Sequence, residues 1–156
     1  MPTLLLLTDA EGELAAVAGC RSAALGPLFL ERYLPVPIEE ALTSHVAAPV
    51  RRADIVEVGN FAARDSRRAK ILMSFMPAYF LGHAARWITF TATSSIRGIL
   101  TAMGGKCLEL STADGACAAG GADDWGNYYS SDPRVMAGFL PSARRIPALW
   151  RSHHGD

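Results

Sequence analysis

The stretch of sequence that decides the fold is Ile55-Val-Glu-Val-Gly-Asn-Phe-Ala-Ala-Arg-Asp-Ser-Arg-Arg-Ala-Lys70. Its first part, within residues 54–63, is rich in β-branched and apolar side chains, which favours a central β-strand. Because Gly59 offers no side chain to pack inside this strand, it predicts a bulge or a divergence from a neighbouring strand. Asp65 or Ser66 then provides the side-chain cap with which a helix begins. A strand that leads straight into a capped helix is typical of α/β proteins.

Basic residues surround the predicted start of this helix: Arg64, Arg67, Arg68 and Lys70. A helix N-terminus presents unpaired backbone N–H groups and a partial positive charge, so it attracts anions. The combination predicts a site for a pyrophosphate or for the phosphate of phosphopantetheine. The alternative is a solvated face, in which case the cations oppose the helix dipole and cost some stability.

The sequence around this stretch predicts alternating strands and helices. Residues 4–8 and 13–21 read as the two strands of a hairpin, and their continuous apolarity predicts a sheet that is covered on both faces. Helix 66–84 is apolar nearly all round between residues 71 and 81, which predicts deep burial, with a kink at Pro77. The other predicted elements are a short helical piece at 29–33, helices at 38–47 and 94–103, strands at 87–93 and 107–110, and ordered stretches at 125–129 and 135–140.

Composition excludes several classes of protein. The chain has 156 residues, of which 50% are hydrophobic, and this suits one domain with its own core. A formal net charge of zero argues against a nucleic-acid-binding protein. The N-terminus lacks the pattern of a signal peptide and the longest apolar stretch is too short to span a bilayer, so we expect a cytoplasmic protein. Three cysteines without a CxxC pair predict neither a disulfide framework nor a zinc site. Cations that are mostly arginine suggest a GC-rich bacterial genome.

The order of strand, divergence, basic loop and helix resembles the acyl-CoA-binding core of the GNAT acyltransferase superfamily. The loop of that superfamily reads Gln/Arg-x-x-Gly-x-Gly/Ala, and Arg64 and Ala69 match its first and last positions. Arg67 stands where the superfamily has a glycine that lets the backbone approach a pyrophosphate.

A second resemblance covers nearly the whole chain. Four blocks at residues 27–34, 56–62, 90–93 and 125–138 follow one another as they do in the bacterial thermostable hemolysin family. That family is similar to GNAT enzymes and, more distantly, to acyl-homoserine-lactone synthases. The resemblance implies a mixed, mostly antiparallel central sheet flanked by helices, in a single domain over residues 1–141. Residues 142–156 then form a basic, loose tail. Relatives usually carry a further strand and helices ahead of the first strand, and we expect this chain to lack them.

The resemblance also implies a function. An acyl thioester, carried by coenzyme A or by the phosphopantetheine of an acyl carrier protein, would donate its acyl group to a small amine without a metal. The pantetheine arm would lie beside the strand at Gly59, and the phosphates would rest on residues 64–70. The donor-binding residues implied in this way are Val58, Gly59, Arg64, Ser66, Arg67, Arg68, Ala69 and Lys70.

Glu57 is the leading candidate for a catalytic side chain. It lies between Val56 and Val58 on the predicted strand, so it points to the opposite face. In the family it matches an acidic residue that could deprotonate or position an amine, and burial in a cleft would raise its pKa toward that duty. The alternative is a structural carboxylate paired with Arg51 or Arg52.

Asn60 and Tyr128 are the other catalytic candidates. Asn60 could bind substrate, although a role in joining backbone segments is slightly favoured. The phenol of Tyr128, or of its neighbour Tyr129, could protonate a leaving thiolate, but aromatic residues beside Trp125 more often pack. Many GNAT enzymes place a tyrosine acid on a helix where this chain has a position near Leu100, which cannot serve.

Other reactive side chains carry weaker predictions. Cys107 would need a base to act as an acyl-enzyme nucleophile, and no histidine is placed to serve it. His45 and His83 lie on apolar helices, where a core or capping role is expected. The pair His153-His154 in the tail gives only a weak metal signal.

Two other functions and an assembly state remain open from the sequence. The chain could be a non-catalytic module that binds an acyl group or phosphopantetheine, or a membrane-active lytic protein as the family name suggests. A lytic protein needs an exposed amphipathic helix, whereas residues 71–81 read as buried. An apolar first strand at a sheet edge predicts a homodimer, or a dimer whose chains exchange an element, with that strand or residues 112–140 at the contact. The alternative is a monomer in which the C-terminal segment covers the gap.

Overall fold

The computed structural model describes residues 1–117 and 126–140. Within them a single six-stranded sheet carries helices on both faces, and its strand order is β1-β2-β3-β4-β6-β5. Only the β3–β4 pair is parallel, which confirms the predicted mixed, mostly antiparallel sheet. The strands and α-helices are β1 Thr3–Thr8, β2 Leu14–Ser22, α1 Ile38–Thr43, β3 Ile55–Ala63, α2 Ser66–Gly82, β4 Trp87–Ala92, α3 Ser94–Ala102, β5 Cys107–Thr112 and β6 Arg134–Phe139. Short 3₁₀ helices include Ala23–Leu25, Phe29–Tyr33, Arg52–Asp54, Gly115–Cys117 and Tyr129–Ser131.

The N-terminal hairpin forms as predicted, but its first strand is not covered on both faces. Gly12 has a φ of 84° in the turn, and the Asp9 carboxylate accepts a hydrogen bond from the backbone N–H of Glu13 at 2.8 Å. Strand β1 lies at the sheet edge, where Leu4 is 59% and Leu6 61% exposed. The expectation of two covered faces is therefore wrong for β1, because no described helix packs on the face that carries Leu4 and Leu6.

Helix α2 is buried along one side only. Its buried residues recur at three- and four-residue spacing and are Ala69, Leu72, Met73, Met76 and Phe80. Ile71 is 45% exposed, so the expectation of burial all round is wrong. A helix that lies on one face of a sheet buries only the side chains that face the sheet, whatever the character of the rest. Pro77 lies inside the helix without ending it.

Helix α1 is shorter than the predicted 38–47 and ends at Thr43. The Ser44 hydroxyl donates to the carbonyl of Ala41 at 2.7 Å, and Nδ1 of His45 lies 2.8 Å from the same oxygen. These side chains compete for the acceptor that the next helical N–H would use, and the chain leaves the helix before Pro49. Helix α3 ends as predicted at a glycine, Gly104, with a φ of 75°.

Two hydrophobic clusters lie on opposite faces of the sheet. The first packs α2 on residues that include Ala18, Val56, Val58 and Ile88. The second packs α1 and the Phe29–Tyr33 segment on residues that include Ile55, Trp87 and Val135. Alternate residues of β3 thus face different cores, which places Glu57 on the face opposite to α2. The predicted tail over 142–156 lies outside the described residues, and the single-domain boundary stays a prediction.

Candidate functional site

Strands β3 and β4 separate in the middle of the sheet. They pair in parallel from Ile55–Trp87 to Val58–Phe90, and the pairing ends there. Beyond this point β3 stays on β2, with Gly19 opposite Gly59. The predicted divergence beside Gly59 is therefore present, and it leaves a gap between two strands that elsewhere adjoin.

A bulge in β3 accompanies this gap. The register passes from Gly19–Gly59 to Val17–Ala62, so Asn60 and Phe61 together lie opposite one residue of β2. Asn60 has a φ of 50°, in the left-handed region that asparagine tolerates better than most residues. The sequence indicated an irregularity of the strand at Gly59, whereas the residue with the left-handed backbone conformation is its neighbour Asn60.

A cavity of about 960 Å³ opens at the gap and is lined from both faces of the sheet. On the α2 and α3 face the lining is mostly apolar and includes Met73, Met76, Phe90, Ile96 and Leu100. On the opposite face it includes Arg21, Phe29 and Glu57, and Asn60 and Tyr128 also border it. All three predicted catalytic side chains therefore line one cavity, together with Val58 and Gly59.

Glu57 is 3% exposed and holds a backbone segment in place. Its two carboxylate oxygens accept hydrogen bonds from the N–H groups of Phe29 and Leu30, each at 2.9 Å. Burial raises the pKa of Glu57 above its usual range, against the effect of these two hydrogen bonds. The alternative pairing with an arginine of the 51–52 pair is wrong, because Arg51 pairs with Asp54 and Arg52 with Glu31 and Glu39.

Arg21 is a cavity residue that the sequence reasoning missed. It lies directly opposite Glu57 in the β2–β3 register, and its positive charge opposes the rise that burial causes in the pKa of that carboxyl. Within residues 1–117 and 126–140 its side chain forms no hydrogen bond or ion pair. A single arginine inside the apolar strand Val17-Ala-Gly-Cys-Arg21 was the signal that could have drawn attention to it.

The basic helix start is partly neutralised by carboxylates. Asp65 caps α2 by accepting from the backbone N–H of Arg68 at 2.9 Å, and it also pairs with the Arg68 side chain. Arg64 pairs with Asp9 at 3.0 Å and with Glu13 at 3.6 Å. The carboxylate of Asp65 thus takes an N–H group that a phosphate would use.

The remaining donor-binding candidates differ in what they offer. Ser66 is exposed at the first position of α2, and Ala69 is buried with its N–H donating to Asp65 O at 3.0 Å. Arg67 and Lys70 form no ion pair with any described residue. They are the cations of this surface that stay free to meet an anion.

The two tyrosines near the C-terminal strand have different surroundings. Tyr128 borders the cavity, and burial raises its pKa, which keeps the phenol protonated near neutral pH. Tyr129 lies outside the cavity lining, and its hydroxyl is 2.7 Å from that of Tyr33. Tyr128 is therefore the better placed of the two to donate a proton in the cavity. Trp125 lies outside the described residues.

Among the residues that the structure describes, the other reactive side chains are not assembled around a nucleophile. Burial raises the pKa of the Cys107 thiol, although Cys107 borders the cavity. His45 and His83 each place Nδ1 2.8 Å from a carbonyl of the preceding helical turn, in agreement with a capping role. Leu100, near which the resemblance places the GNAT tyrosine position, also lines the cavity. Residues 153–154 lie outside the described part of the chain.

Neither a metal centre nor a membrane span is found in the described part of the chain. Residues 1–117 and 126–140 hold no group of three or more His, Cys, Asp or Glu side chains that could bind a metal ion. Each helix within those residues is too short or too polar to span a bilayer.

The thermostable hemolysin family matches residues 1–144. The chain belongs to this family. A search of curated protein sequences gives no match.

Solved structures similar to this fold include acyl-homoserine lactone synthases and a GCN5-related N-acetyltransferase. The acyl-homoserine lactone synthase LasI has a TM-score of 0.60 and 14% identity, over 88% of this chain and 64% of that one. BjaI, described as a CoA-dependent acyl-homoserine lactone synthase with SAM and isopentyl-CoA, has a TM-score of 0.58 and 11% identity, over 88% of this chain and 58% of that one. A GCN5-related N-acetyltransferase from Kribbella flavida has a TM-score of 0.51 and 13% identity, over 88% of this chain and 67% of that one. The fold of this hemolysin-family member is therefore GNAT-like, and the chain spans less than two thirds of either synthase.

Proposed function

We propose that this protein transfers an acyl group from a thioester, carried by coenzyme A or an acyl carrier protein, to an amine. The observation that carries the proposal is the gap between β3 and β4, which opens into a cavity lined from both faces of the sheet. Parallel strands that separate leave backbone amides without a strand partner, and the amides of a pantetheine arm can pair with them. The GNAT-like fold of enzymes whose descriptions name acyl or acetyl transfer supports the same reading.

The shape of the cavity suggests a donor with an apolar acyl chain. A volume of about 960 Å³ is at the upper end of small-molecule pockets. Its wall under α2 and α3 carries Met73, Met76 and Leu100, which adapt to or pack against hydrocarbon. A long acyl chain removed from water on this wall would contribute roughly 0.8 kcal/mol for each buried methylene group. We therefore expect medium or long acyl donors to bind better than acetyl donors.

The proposed chemistry is direct aminolysis. The neutral amine attacks the thioester carbonyl, a C–N bond forms, and the C–S bond breaks as the tetrahedral intermediate collapses. Backbone N–H groups of β3 near Gly59 hydrogen-bond the oxyanion, and Tyr128 donates its proton to the departing thiolate and then takes one back from water. The negative field of Glu57 attracts the protonated amine, which loses one proton to water before attack and another after it. Asn60 lies at the bulge, where its amide can orient the substrate.

Acyl transfer can be tested with the full chain and two donors, acyl-CoA and the matching acyl carrier protein. Release of free thiol in the presence of an amine mixture, together with the amide product by mass spectrometry, would support the proposal. Saturable donor binding without thiol release would instead support the non-catalytic binding module. If neither donor binds at millimolar concentration, the proposal is wrong. Leakage of dye from liposomes at micromolar protein would favour the lytic function.

Assembly as a homodimer stays a proposal. Strand β1 forms the edge of the sheet and exposes Leu4 and Leu6, which is the kind of edge that another chain can cover. Light scattering on dilute protein tests it, and Leu4→Glu with Leu6→Glu should shift the mass to that of one chain. A wild-type mass near 16.7 kDa across the micromolar range would contradict it.

A further inference from the structure

We infer that the amine acceptor carries a carboxylate, as an α-amino acid does, and that Arg21 binds this carboxylate. The inference rests on the proposed acyl transfer and names the class of its second substrate. It starts from the position of Arg21 on the cavity wall opposite the apolar wall under α2.

The register of the sheet places Arg21 beside Glu57. Cys20 pairs with Val58 in the first hydrophobic cluster, so the next pair, Arg21 and Glu57, faces the other side of the sheet. Phe29 borders the cavity next to them and is held there by the Glu57 carboxylate. Two opposite charges therefore stand side by side at the closed end of the gap.

The N–H groups of the Arg21 guanidinium donate to no described residue. Several other arginines are ion-paired with carboxylates, namely Arg51, Arg52, Arg64, Arg68, Arg97 and Arg134. Arg21 forms no such pair with any described residue, and the Glu57 oxygens accept from backbone N–H groups instead. A partly buried guanidinium with free N–H groups is complementary to a carboxylate, which it can bind through two parallel hydrogen bonds.

The loop after β2 helps to place this guanidinium. A Cβ at Gly26 would lie 3.4 Å from Nη2 of Arg21, so the side chain runs against the backbone at that residue. Gly26 has a φ of 126°, a conformation that other residues rarely adopt. Arg21 therefore packs against the backbone at Gly26 through its guanidinium, and the residue also borders the cavity.

The charge order matches a zwitterion better than a phosphate. Arg21 attracts a carboxylate, and the neighbouring Glu57 attracts an ammonium group one strand away, toward the gap where the thioester would lie. The candidate phosphate surface begins at Arg64, seven residues along β3 from Glu57, which is roughly 20 Å at the rise of a strand. The donor phosphate and the acceptor carboxylate would thus occupy opposite ends of β3.

The test compares amines that differ only in the carboxylate. The pairs are leucine with isoamylamine, phenylalanine with phenethylamine, and histidine with histamine, each offered with the donor that shows turnover. We expect wild-type kcat/KM to favour the amino acid of at least one pair by about ten- to a hundredfold. Arg21→Gln should remove this preference by lowering kcat/KM for the amino acid and not for the decarboxylated amine. Arg21→Lys, which keeps the charge and loses the planar fork, should retain part of it.

Controls separate the possible failures. Arg51→Gln removes an exposed arginine that pairs with Asp54, and it should leave the preference unchanged. Circular dichroism and thermal unfolding show whether each variant is folded. Equal use of both amines by the wild type, or an equal loss for both in Arg21→Gln, would overturn the inference while acyl transfer stands. If no amine is acylated, the proposed acyl transfer is wrong, and calorimetry with the same amines then tests the role of Arg21. Amino acid binding that Arg21→Gln abolishes would support a carboxylate site at Arg21. No amino acid binding by the wild type would refute that site.

Discussion

A cluster of cations lies at the start of α2, near one end of β3, and a single arginine, Arg21, lies near the other end. The two sites differ in how far carboxylates neutralise their positive charge. At the start of α2, Asp65 forms an ion pair with Arg68. Arg64 forms ion pairs with Asp9 and Glu13. At the other end, Arg21 has a buried carboxylate beside it that is already engaged by two backbone N–H groups. A dense basic cluster therefore offers a ligand less positive charge than its composition indicates, and a lone arginine offers more.

Hydrogen-bond donors that no described residue uses therefore indicate a ligand-binding side chain better than the local density of charge does. Exposed ion pairs contribute little to stability, but each one occupies donors that a ligand would need. At the helix start the Arg67 and Lys70 side chains pair with no described residue, and the same holds for the Arg21 side chain in the cavity. If these cations bind substrates and the gap between β3 and β4 holds the thioester, changes at these positions should alter donor binding or acyl transfer more than changes elsewhere.

The largest effect is expected from closing the gap itself. Gly59→Val places a branched side chain beside the separated strands, where a Cβ would already lie 2.6 Å from Cε of Met1. The Met1 side chain can move, so the fold should survive, but acyl transfer should fall by about a hundredfold because a displaced thioester reacts poorly. Steady-state kinetics measures this. Gly82→Val is the matched control, because it meets open space at the end of α2.

The second prediction concerns the carboxylate beside Arg21. Glu57→Gln replaces one buried acceptor by an NH₂ group that faces the N–H of Phe29 or Leu30, so two donors oppose each other. We expect the free energy of unfolding to fall by about 1–3 kcal/mol. Urea denaturation of Glu57→Gln against Glu40→Gln, which changes an exposed glutamate on α1, measures it. Equal stability of the two variants would show that Glu57 does not anchor the Phe29–Tyr33 segment.

A third experiment compares free with neutralised cations at the helix start. The double variant Arg67→Gln/Lys70→Gln should weaken acyl-CoA binding by about tenfold, and the loss should shrink at high salt. Arg64→Gln should change binding by less than about threefold, because Arg64 is already paired. Calorimetry at two salt concentrations measures both. A larger effect from Arg64 would mean that the donor displaces Asp9 and Glu13, and no effect from either would place the phosphates elsewhere.

Much of the fold was predictable because local pattern and tertiary structure agree. A few neighbouring residues determine the backbone geometry at three places: the hairpin turn at Gly12, the start of α2 at Asp65 and the end of α3 at Gly104. Gly59 likewise marked the divergence of β3 from β4. Burial was less predictable: the apolar residues of β1 look the same in sequence whether a sheet edge is covered or open, and Leu4 proves exposed.

The site was predictable only in part, for a physical reason. Alternation along β3 sufficed to point Glu57 away from α2, and the cavity also contains Asn60 and Tyr128. Which charge meets which partner depends on contacts between residues far apart in the chain, such as the 28-residue separation between Phe29 and Glu57. The isolated arginine in an apolar strand could draw attention to Arg21, but neither the pairing of Arg64 with Asp9 nor the lack of a described partner for the Arg21 side chain could be read from local sequence.

The smallest effect is expected at the helix cap, and it bears most directly on the comparison. Asp65 both caps α2 and places a negative charge where a donor phosphate would approach. Asp65→Asn keeps a side-chain oxygen for the N–H of Arg68 while it removes the charge and frees the Arg68 guanidinium. If phosphate binds here, acyl-CoA affinity should rise by about two- to fivefold, the size of one charge at a helix terminus. Asp114→Asn, an exposed change far along the chain, should leave affinity unchanged. Calorimetry distinguishes the outcomes: a fall in affinity would mean that Asp65 helps to hold the donor, and no change would mean that the phosphates do not reach this terminus.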